Sequence, residues 1–522
     1  MSHGQNARDN SVSEGTLLIR ADANVSMGTG HVMRCLALAQ AWQDSGGRST
    51  FAMAESTPSL ERRLREEGIE VERLEVSAGT AEDAGETGSI ASRKNAEWIV
   101  VDGYQFGSAY QSSIKKAGFK LLFMDDHAHA GPYSADLVLN QNLHASRGLY
   151  AERDRSTQLL LGPRYAMLRR EFRQWRNWRR EIAPVGRKIL VTMGGSDPDN
   201  LTARVIAAIQ QVSNPNLETT VLVGGSNPHL RSMEELIRRQ KAPMRLLIDT
   251  SNISEWMTWA DVAVAGAGTT FWEMCFLGLP SLLIALAPNQ ESVADAAGRM
   301  GIACNLGKQG EVSAATIAEK LAALLNSVNC RMKQSASGRK LVDGRGAGRV
   351  VAFLSSLKLR RAVDSDCEIF WDWANDPEAR AASFRSNGIS WEEHAKWFRA
   401  RLADPQAILY TATDKDGARV GEVRYQIHGR RAVLSVNLGA GFRGRGLGQK
   451  IIAVATEKLF HDLETNDSEI KDSEINFIDA YVKPANEPSL KLFAGAGFLR
   501  FPEEVIEGQA AVHFVLERSA VA

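Results

Sequence analysis

From Leu17 to about Leu139 the chain repeats one pattern. A short run of apolar, β-branched residues is followed by a polar turn and then by an amphipathic stretch with helical spacing. The runs Leu17–Arg20, Thr50–Met53, Trp98–Val101 and Leu121–Met124 predict strands. His31–Gln43, Ser59–Glu67 and Ser108–Lys116 predict helices. Strands alternating with helices form a parallel sheet with crossover helices. A stretch rich in Arg and Trp, Arg169–Arg187, interrupts the pattern, which then resumes. Strands are predicted at Lys188–Met193, Thr220–Val223, Arg245–Ile248, Val262–Val264 and Ser281–Ile284. Helices are predicted at Leu201–Gln211, Leu230–Gln240, Ile253–Trp259, Thr270–Leu277 and Ala314–Leu325. Two such halves of similar size imply two doubly wound α/β domains with a cleft between them, and ligands bind such sheets at the carboxyl ends of the strands.

Beyond Leu357–Asp366, a polar, basic stretch that reads as a linker, the texture changes. Residues 367–404 predict two tryptophan-bearing helices. Strands follow at Ala407–Thr413, Gly421–Tyr425 and Ala432–Leu438, then a glycine-rich loop, a helix, a strand and a final helix. This is a mixed α+β domain. The acidic run Glu464–Glu474 reads as a solvated insert. The expected domains are 15–168, 185–356 and 365–518.

Composition narrows the function class. A length of 522 residues suits about three domains. The 62 Lys and Arg balance 62 Asp and Glu, which argues against a nucleic-acid partner. The cysteine count, five, is odd, with no C-x-x-C pair, as expected of a reducing compartment. Residues 1–14 are polar, and the longest apolar run, near Leu279–Pro288, is too short to span a bilayer. A cytoplasmic protein with no membrane partner is the expectation.

The most specific chemistry in the last domain is Arg443-Gly444-Arg445-Gly446-Leu-Gly448, placed between a strand and a helix. Glycines let the backbone approach a ligand, successive N–H groups cradle an anion, and two arginines add positive charge. A pyrophosphate is the natural guest. Downstream stand Tyr481-Val-Lys-Pro-Ala-Asn486, Ser489–Phe493 and Gly495-Ala-Gly-Phe498. With these motifs, residues 367 to about 516 resemble the GNAT acetyltransferases. The resemblance implies acetyl-CoA as cosubstrate, held along Ser435–Leu438 by Val436 and Leu438, by the loop 443–448 and by Asn486. A substrate amine would attack its thioester. Many members carry an acidic Tyr where Phe493 stands, and Phe493 cannot donate a proton. Tyr481 and Tyr425 remain as candidate acids, against the plainer reading of each as a packed strand tyrosine. Arg380 and Arg385 either select substrate or lie on exposed surface.

In the first half, Gly28-Thr-Gly30-His31 follows a predicted strand and opens a helix. The positive end of the helix dipole favours a neutral imidazole, which can act as a base on water. In the second half, Met193-Gly194-Gly195-Ser196-Asp197 and Ala265-Gly-Ala-Gly268-Thr269-Thr270 also end strands ahead of helices. Two glycine-rich helix starts facing one cleft suit a diphosphate. Glu273 can accept hydrogen bonds from ribose hydroxyls.

These loops resemble those of the GT-B-fold UDP-N-acetylglucosamine transferases of peptidoglycan synthesis. A closer resemblance is to the UDP-2,4-diacetamido-2,4,6-trideoxy-β-L-altropyranose hydrolases of pseudaminic acid biosynthesis. It rests on Arg20-Ala-Asp22, Gly28-x-Gly-His31-x-x-Arg34, Val101-Asp-x-Tyr104, Asp125-Asp126, Leu139-Asn-Gln-Asn142, Gly162 to Phe172, Met193–Asp197 and Asn289-Gln-Glu291. The resemblance implies a GT-B-like pair of domains acting on a UDP-linked amino sugar. His31 would activate water, which attacks the anomeric carbon with inversion as UDP leaves. Tyr104, Arg169, Glu273 and Asn289 would line the substrate or its UDP. Asp22 and Asp126 would orient water or sugar, or else form turns. No metal is required. His127 and His129 have a spacing that suits a metal, but the sequence shows no third ligand, so both are read as structural, like His144. In that pathway a GNAT enzyme N-acetylates the 4-amino sugar just before hydrolysis, so a fusion would join consecutive steps. The alternatives are a UDP-sugar glycosyltransferase, or a hydrolase regulated by a non-catalytic acetyl-CoA-sensing domain.

Overall fold

A computed structural model describes residues 15–24, 27–225, 227–240, 243–464 and 475–518. The expectations for residues 1–14 and for nearly all of the acidic run after Glu464 lie outside these. The chain divides into two compact units, 15–350 and 351–518.

The first unit holds two parallel sheets. One is built from β1 (Thr16–Ala21), β2 (Arg48–Met53), β3 (Glu70–Arg73), β4 (Ala96–Asp102), β5 (Lys120–Met124), β6 (Leu137–Asn140) and β7 (Gln158–Leu161), in the order β3-β2-β1-β4-β5-β6-β7. Its helices are α1 (Gly30–Asp44), α2 (Pro58–Glu66), α3 (Ala81–Arg93) and α4 (Ser108–Lys116). The other sheet comprises β8 (Lys188–Thr192), β9 (Glu218–Val223), β10 (Met244–Ile248), β11 (Val262–Gly266), β12 (Ser281–Ala285) and β13 (Cys304–Lys308), in the order β10-β9-β8-β11-β12-β13. Around it lie α5 (Leu201–Gln210), α6 (Leu230–Arg238), α7 (Ile253–Trp259), α8 (Thr270–Phe276), α9 (Pro288–Arg299), α10 (Ala314–Asn326) and α11 (Val328–Leu341), and α12 (Gly346–Leu354) reaches the unit boundary. Central strands covered on both faces become continuous apolar runs. Accordingly β1 and β11 are buried at every position. The strands that pattern reading missed, β3, β6, β7 and β13, are four or five residues long and lie towards the sheet edges.

The Arg- and Trp-rich stretch between the halves is mostly short 3₁₀ turn and coil. Trp175 and Trp178 pack against the second half's core. Arg180 donates to the carbonyls of Met257, Ala260 and Leu277. Helix ends leave such carbonyls without intrahelical partners, so arginines here act as caps.

The second unit is a mixed sheet of β14 (Lys358–Arg361), β15 (Ala407–Thr413), β16 (Arg419–His428), β17 (Arg431–Leu438), β18 (Phe477–Val482), β19 (Leu499–Ile506) and β20 (Gln509–Glu517), in the order β14-β15-β16-β17-β18-β20-β19. Its helices are α13 (Cys367–Asn375), α14 (Pro377–Ala382), α15 (Trp391–Ala403), α16 (Leu447–Glu464) and α17 (Glu487–Gly495). Three expectations change. The stretch read as a linker contains β14, an edge strand whose Arg360 is tied to the fully buried Asp366. Edge strands carry charge on their solvated face, which hid the alternation. Residues 367–404 form three helices rather than two. Two antiparallel strands, β19 and β20, follow the helix expected to be last. β19 is exposed along nearly its whole length, so burial imposes no alternation on it.

Candidate active sites

In the first sheet the strand order reverses between β1 and β4, and ligands gather at such switch points. The chain leaves β1 through Gly28, whose φ of +77° is in the left-handed region, and enters α1 at Gly30. His31 thus stands one residue into the helix, and Asp102 ends β4. Although 71 residues apart, His31 Nδ1 and Asp102 Oδ1 are 2.7 Å from one another. Arg34, one turn along α1, donates from Nε and Nη2 to Asp102, each at 2.6 Å, and from Nη1 to Asp126 at 2.7 Å. Asp126 also accepts from the Tyr104 hydroxyl and from Asn142 Nδ2, both at 2.8 Å.

Burial opposes ionisation of both carboxyls, but Arg34 outweighs it. Together with His31 it holds Asp102 far below the usual carboxylate range. Asp126 is brought down to about 2. An ionised carboxylate only accepts hydrogen bonds. The His31 tautomer that fits Asp102 therefore carries a proton on Nδ1, which leaves Nε2 as the other ring nitrogen. Burial, with Asp126 beside it, pushes the Tyr104 hydroxyl well above its ordinary range, so Tyr104 acts as a neutral donor.

The loops after β8 and β11 face this constellation. A Cβ on Gly195 would come within 2.7 Å of Thr29 Oγ1, and one on Gly224 within 2.2 Å of the Gly195 carbonyl oxygen. Glycine is what lets the β8 loop approach Thr29 and the β9 loop approach Gly195. Asn289, at the start of α9, donates to the Tyr104 hydroxyl at 2.5 Å. Between the two halves lies a cleft of about 940 Å³, within the size range of small-molecule sites, lined by His31, Tyr104, Asp126, Arg169, Glu273 and Asn289 among others. Gly30, Gly194, Gly195, Ser196, Gly268 and Thr269 also lie on its wall.

Two expectations shift. Asp22 is 1% exposed. It accepts from the N–H groups of Ala54 and Glu55 and from Gln105, and it pairs with Arg20. That environment makes Asp22 a structural anchor of the β1 end, away from the cleft. Arg169 does not present a free fork: its Nη2 lies 2.8 Å from Glu273 and its Nη1 3.0 Å from Glu171. Burial pushes the Glu273 carboxyl up, and Arg169 opposes that shift.

Asp102 and Arg34 were present in the sequence only as members of matched motifs. An Asp ending a central strand at the switch point was the available signal. Asp125 joins His127 and His129 in a cluster whose ligating atoms lie within 4.8 Å of one another, which supplies the third group that the sequence did not show.

In the second unit, parallel pairing of β17 with β18 covers only Arg431–Val433 against Phe477–Asp479. Beyond it the strands part, leaving the β18-facing edge of Leu434–Leu438 without a strand partner. Ser435, Val436, Asn437 and Leu438 border this gap, where an extended ligand can add to the sheet edge. At its end Gly444 and Gly446 both take φ of +73°, which allows the turn into α16. A Cβ on Gly448 would come within 3.0 Å of Leu492, so Gly448 serves helix packing. Arg443 donates to Asp376 at 2.5 Å and to Glu378 at 3.0 Å, so two carboxylates engage part of its charge. Arg445 lies over the Phe442 ring. Asn486 caps α17 through the N–H of Ser489.

Phe493 packs in the core against Phe498 and Phe514. Tyr425 is also a core residue, whereas Tyr481 is half-buried and stacks on His513 at 4.7 Å. Arg380 supports the backbone at Arg385 and Asn387, and Arg385 pairs with Glu507. Glu422 escaped sequence reading. It lies opposite Asn437 in the β16–β17 register, is 2% exposed, and its Oε2 has no hydrogen-bond partner. Burial raises its carboxyl pKa, against the pull of Arg424 and Asn437.

Comparison with known proteins agrees with this division. Residues 356–499 match the acetyltransferase (GNAT) domain family. An uncharacterized protein of Methanocaldococcus jannaschii, MJ1062, is 22% identical over 504 residues, 92% of this chain and 96% of its own. The UDP-2,4-diacetamido-2,4,6-trideoxy-beta-L-altropyranose hydrolase of Campylobacter jejuni is 27% identical over 280 residues, 53% of this chain and 94% of its own. The spore coat polysaccharide biosynthesis protein SpsG of Bacillus subtilis is 30% identical over 244 residues, 45% of this chain and 69% of its own. No described helix is long and apolar enough to cross a membrane. The chain joins a segment homologous to that hydrolase and to SpsG with a GNAT acetyltransferase domain, and it belongs to the SpsG family.

Proposed function

We propose that the first unit hydrolyses a UDP-linked 2,4-diacetamido-2,4,6-trideoxy sugar, and that the second makes this substrate by acetylating the 4-amino group of its precursor. The observation that carries the first reaction is the His31–Asp102 pair, 2.7 Å apart, on the wall of the cleft. Water attacks the anomeric carbon and its proton passes to His31 Nε2. The bond from that carbon to the phosphate oxygen breaks, and UDP leaves with the electron pair, so the configuration inverts. Asp102 stabilises the imidazolium that forms. The N–H groups of Gly194–Ser196 and Gly268–Thr270 suit the diphosphate.

For the second reaction, acetyl-CoA lies along the β17–β18 gap with its pyrophosphate at 443–448. Glu422 supports this reading, because a desolvated carboxylate with a raised pKa matches the task of taking a proton from an ammonium. The freed amine forms the C–N bond, the C–S bond breaks, and CoA leaves as the thiolate. Acetylation precedes hydrolysis, so the order of reaction is the reverse of the order along the chain. The chemistry belongs to the cytoplasm, in pseudaminic acid biosynthesis.

The test supplies the intact protein with acetyl-CoA and the UDP-4-amino sugar and follows both products by mass spectrometry. UDP release should fall on the order of 100-fold or more in His31→Ala, as loss of a general base typically costs. Near-normal release would refute the hydrolase assignment. Because Phe493 is a core residue, a sensing role for the second unit is a concrete rival. It wins if acetyl-CoA binds and no free CoA thiol appears.

A further inference from the structure

Asp125, His127 and His129 occupy the turn that leaves β5, beside Tyr104. Ala128 has a φ of +60°, a left-handed conformation that L side chains seldom adopt. The reversal brings the two imidazoles together, stacked at 5.1 Å with 29° between planes. Asp125 is 1% exposed. Its Oδ1 accepts from the N–H groups of His127 and Ala128 and faces His129 Nδ1 at 3.3 Å. The Phe106 backbone also hydrogen-bonds the His129 ring. His127 is exposed and lies on the wall of the cleft. Both rings approach Tyr104, at 5.2 and 5.4 Å.

We propose that Asp125, His127 and His129 form a site for a divalent transition-metal ion of the zinc class at the edge of the cleft. Two imidazoles and one carboxylate are a donor set that such ions prefer, whereas magnesium and calcium seek oxygen ligands. A tetrahedral zinc with bonds of about 2.1 Å sets its ligands roughly 3.4 Å apart. The ligating atoms already lie within 4.8 Å, and rotation of the exposed His127 closes the difference. Three protein ligands leave one position open. Because His127 faces the cleft, water or an oxygen of a bound sugar or phosphate can fill it. Metal binding is read without UDP release, so failure of the site and failure of the hydrolytic reading are distinguishable.

The test uses untagged full-length protein stripped with EDTA and titrated with cobalt(II) and then zinc(II). Visible absorption of four-coordinate cobalt and the zinc-induced rise in Tm are the readouts. One equivalent per chain should bind. His127→Ala and His129→Gln should each weaken binding tenfold or more, while Cys330→Ser, which removes an exposed thiol, should not. Because His127 is exposed, its variant should fold even if a change at buried Asp125 does not. Absence of stoichiometric binding in the wild type, or unchanged binding in folded His127→Ala, would overturn the site.

Discussion

The two units build their candidate sites by opposite means. In the first, side chains from β1–α1, the end of β4 and the turn after β5 converge on a preformed network, His31–Asp102–Arg34–Asp126–Tyr104, which Asn289 joins from the second half. In the second, the site is a defect in pairing: β17 and β18 separate after Val433, and backbone, not side chains, is on offer. A site made of buried charges should be sensitive to single side-chain changes. A backbone gap should be sensitive to changes in backbone geometry.

The sharpest way to break this comparison is Asp102→Asn. An amide no longer enforces one His31 tautomer, and Arg34 loses an ionised partner. UDP release should fall on the order of 100-fold or more, and stability by about 3–5 kcal/mol, the usual cost of stranding a buried charge. Kinetics below the melting temperature, with a denaturant titration, separate the two losses. Retained activity would show that Asp102 does not orient the base.

Glu422→Gln comes next, because Glu422 is a buried carboxyl opposite Asn437, on the strand that borders the gap. Acetyl transfer should drop on the order of 100-fold with unchanged acetyl-CoA affinity, and the acid limb of the pH–rate profile should vanish. Since burial raises the Glu422 pKa, that limb in the wild type should lie above the ordinary glutamate range. A profile identical to wild type would remove Glu422 from the reaction.

Acid should distinguish the units more gently. The folded pKa of Asp126 is about 2, against about 3.9 unfolded. Its stabilisation is complete above pH 4 and is lost as pH falls towards 2, because the unfolded chain then binds more protons. The lost stability amounts to roughly 2–3 kcal/mol, and Asp102 is depressed further still. Pepsin digestion across pH 4 to 2 should therefore release peptides of the first unit early. Simultaneous release of both would count against the charge network as its main acid-labile element.

Gly446→Val should give the smallest effect. The position is left-handed, with open space around a Cβ, so strain of about 1–2 kcal/mol should weaken acetyl-CoA roughly tenfold by calorimetry while UDP release persists. Unchanged affinity would mean that the loop does not hold the cofactor as proposed.

Much of the architecture was legible because its causes are local. Burial on both faces makes β11 a continuous apolar run and keeps β1 apolar from Leu17 to Ile19, and the left-handed turns at Gly28, Gly444 and Gly446 favour glycine. What pattern reading missed was governed by position in a sheet. β14 and β19 are edge strands of the second sheet, and solvent on an edge relaxes the alternation that reveals a strand. The helix count over residues 367–404 failed because α14 has only six residues, too few for a periodicity to show.

The sequence by itself determined the alternation of elements, the glycine loops and the placing of His31 at a helix start, since each follows from neighbours within a few residues. Only the tertiary structure decided that Asp102 meets His31 across 71 positions, that Arg169 meets Glu273 across 104, and that Asp22 is an anchor. Such partners depend on which strands lie side by side. β4 is placed beside β1 by the order of the whole sheet, a result of burying all its strands together, and no local run of residues encodes it.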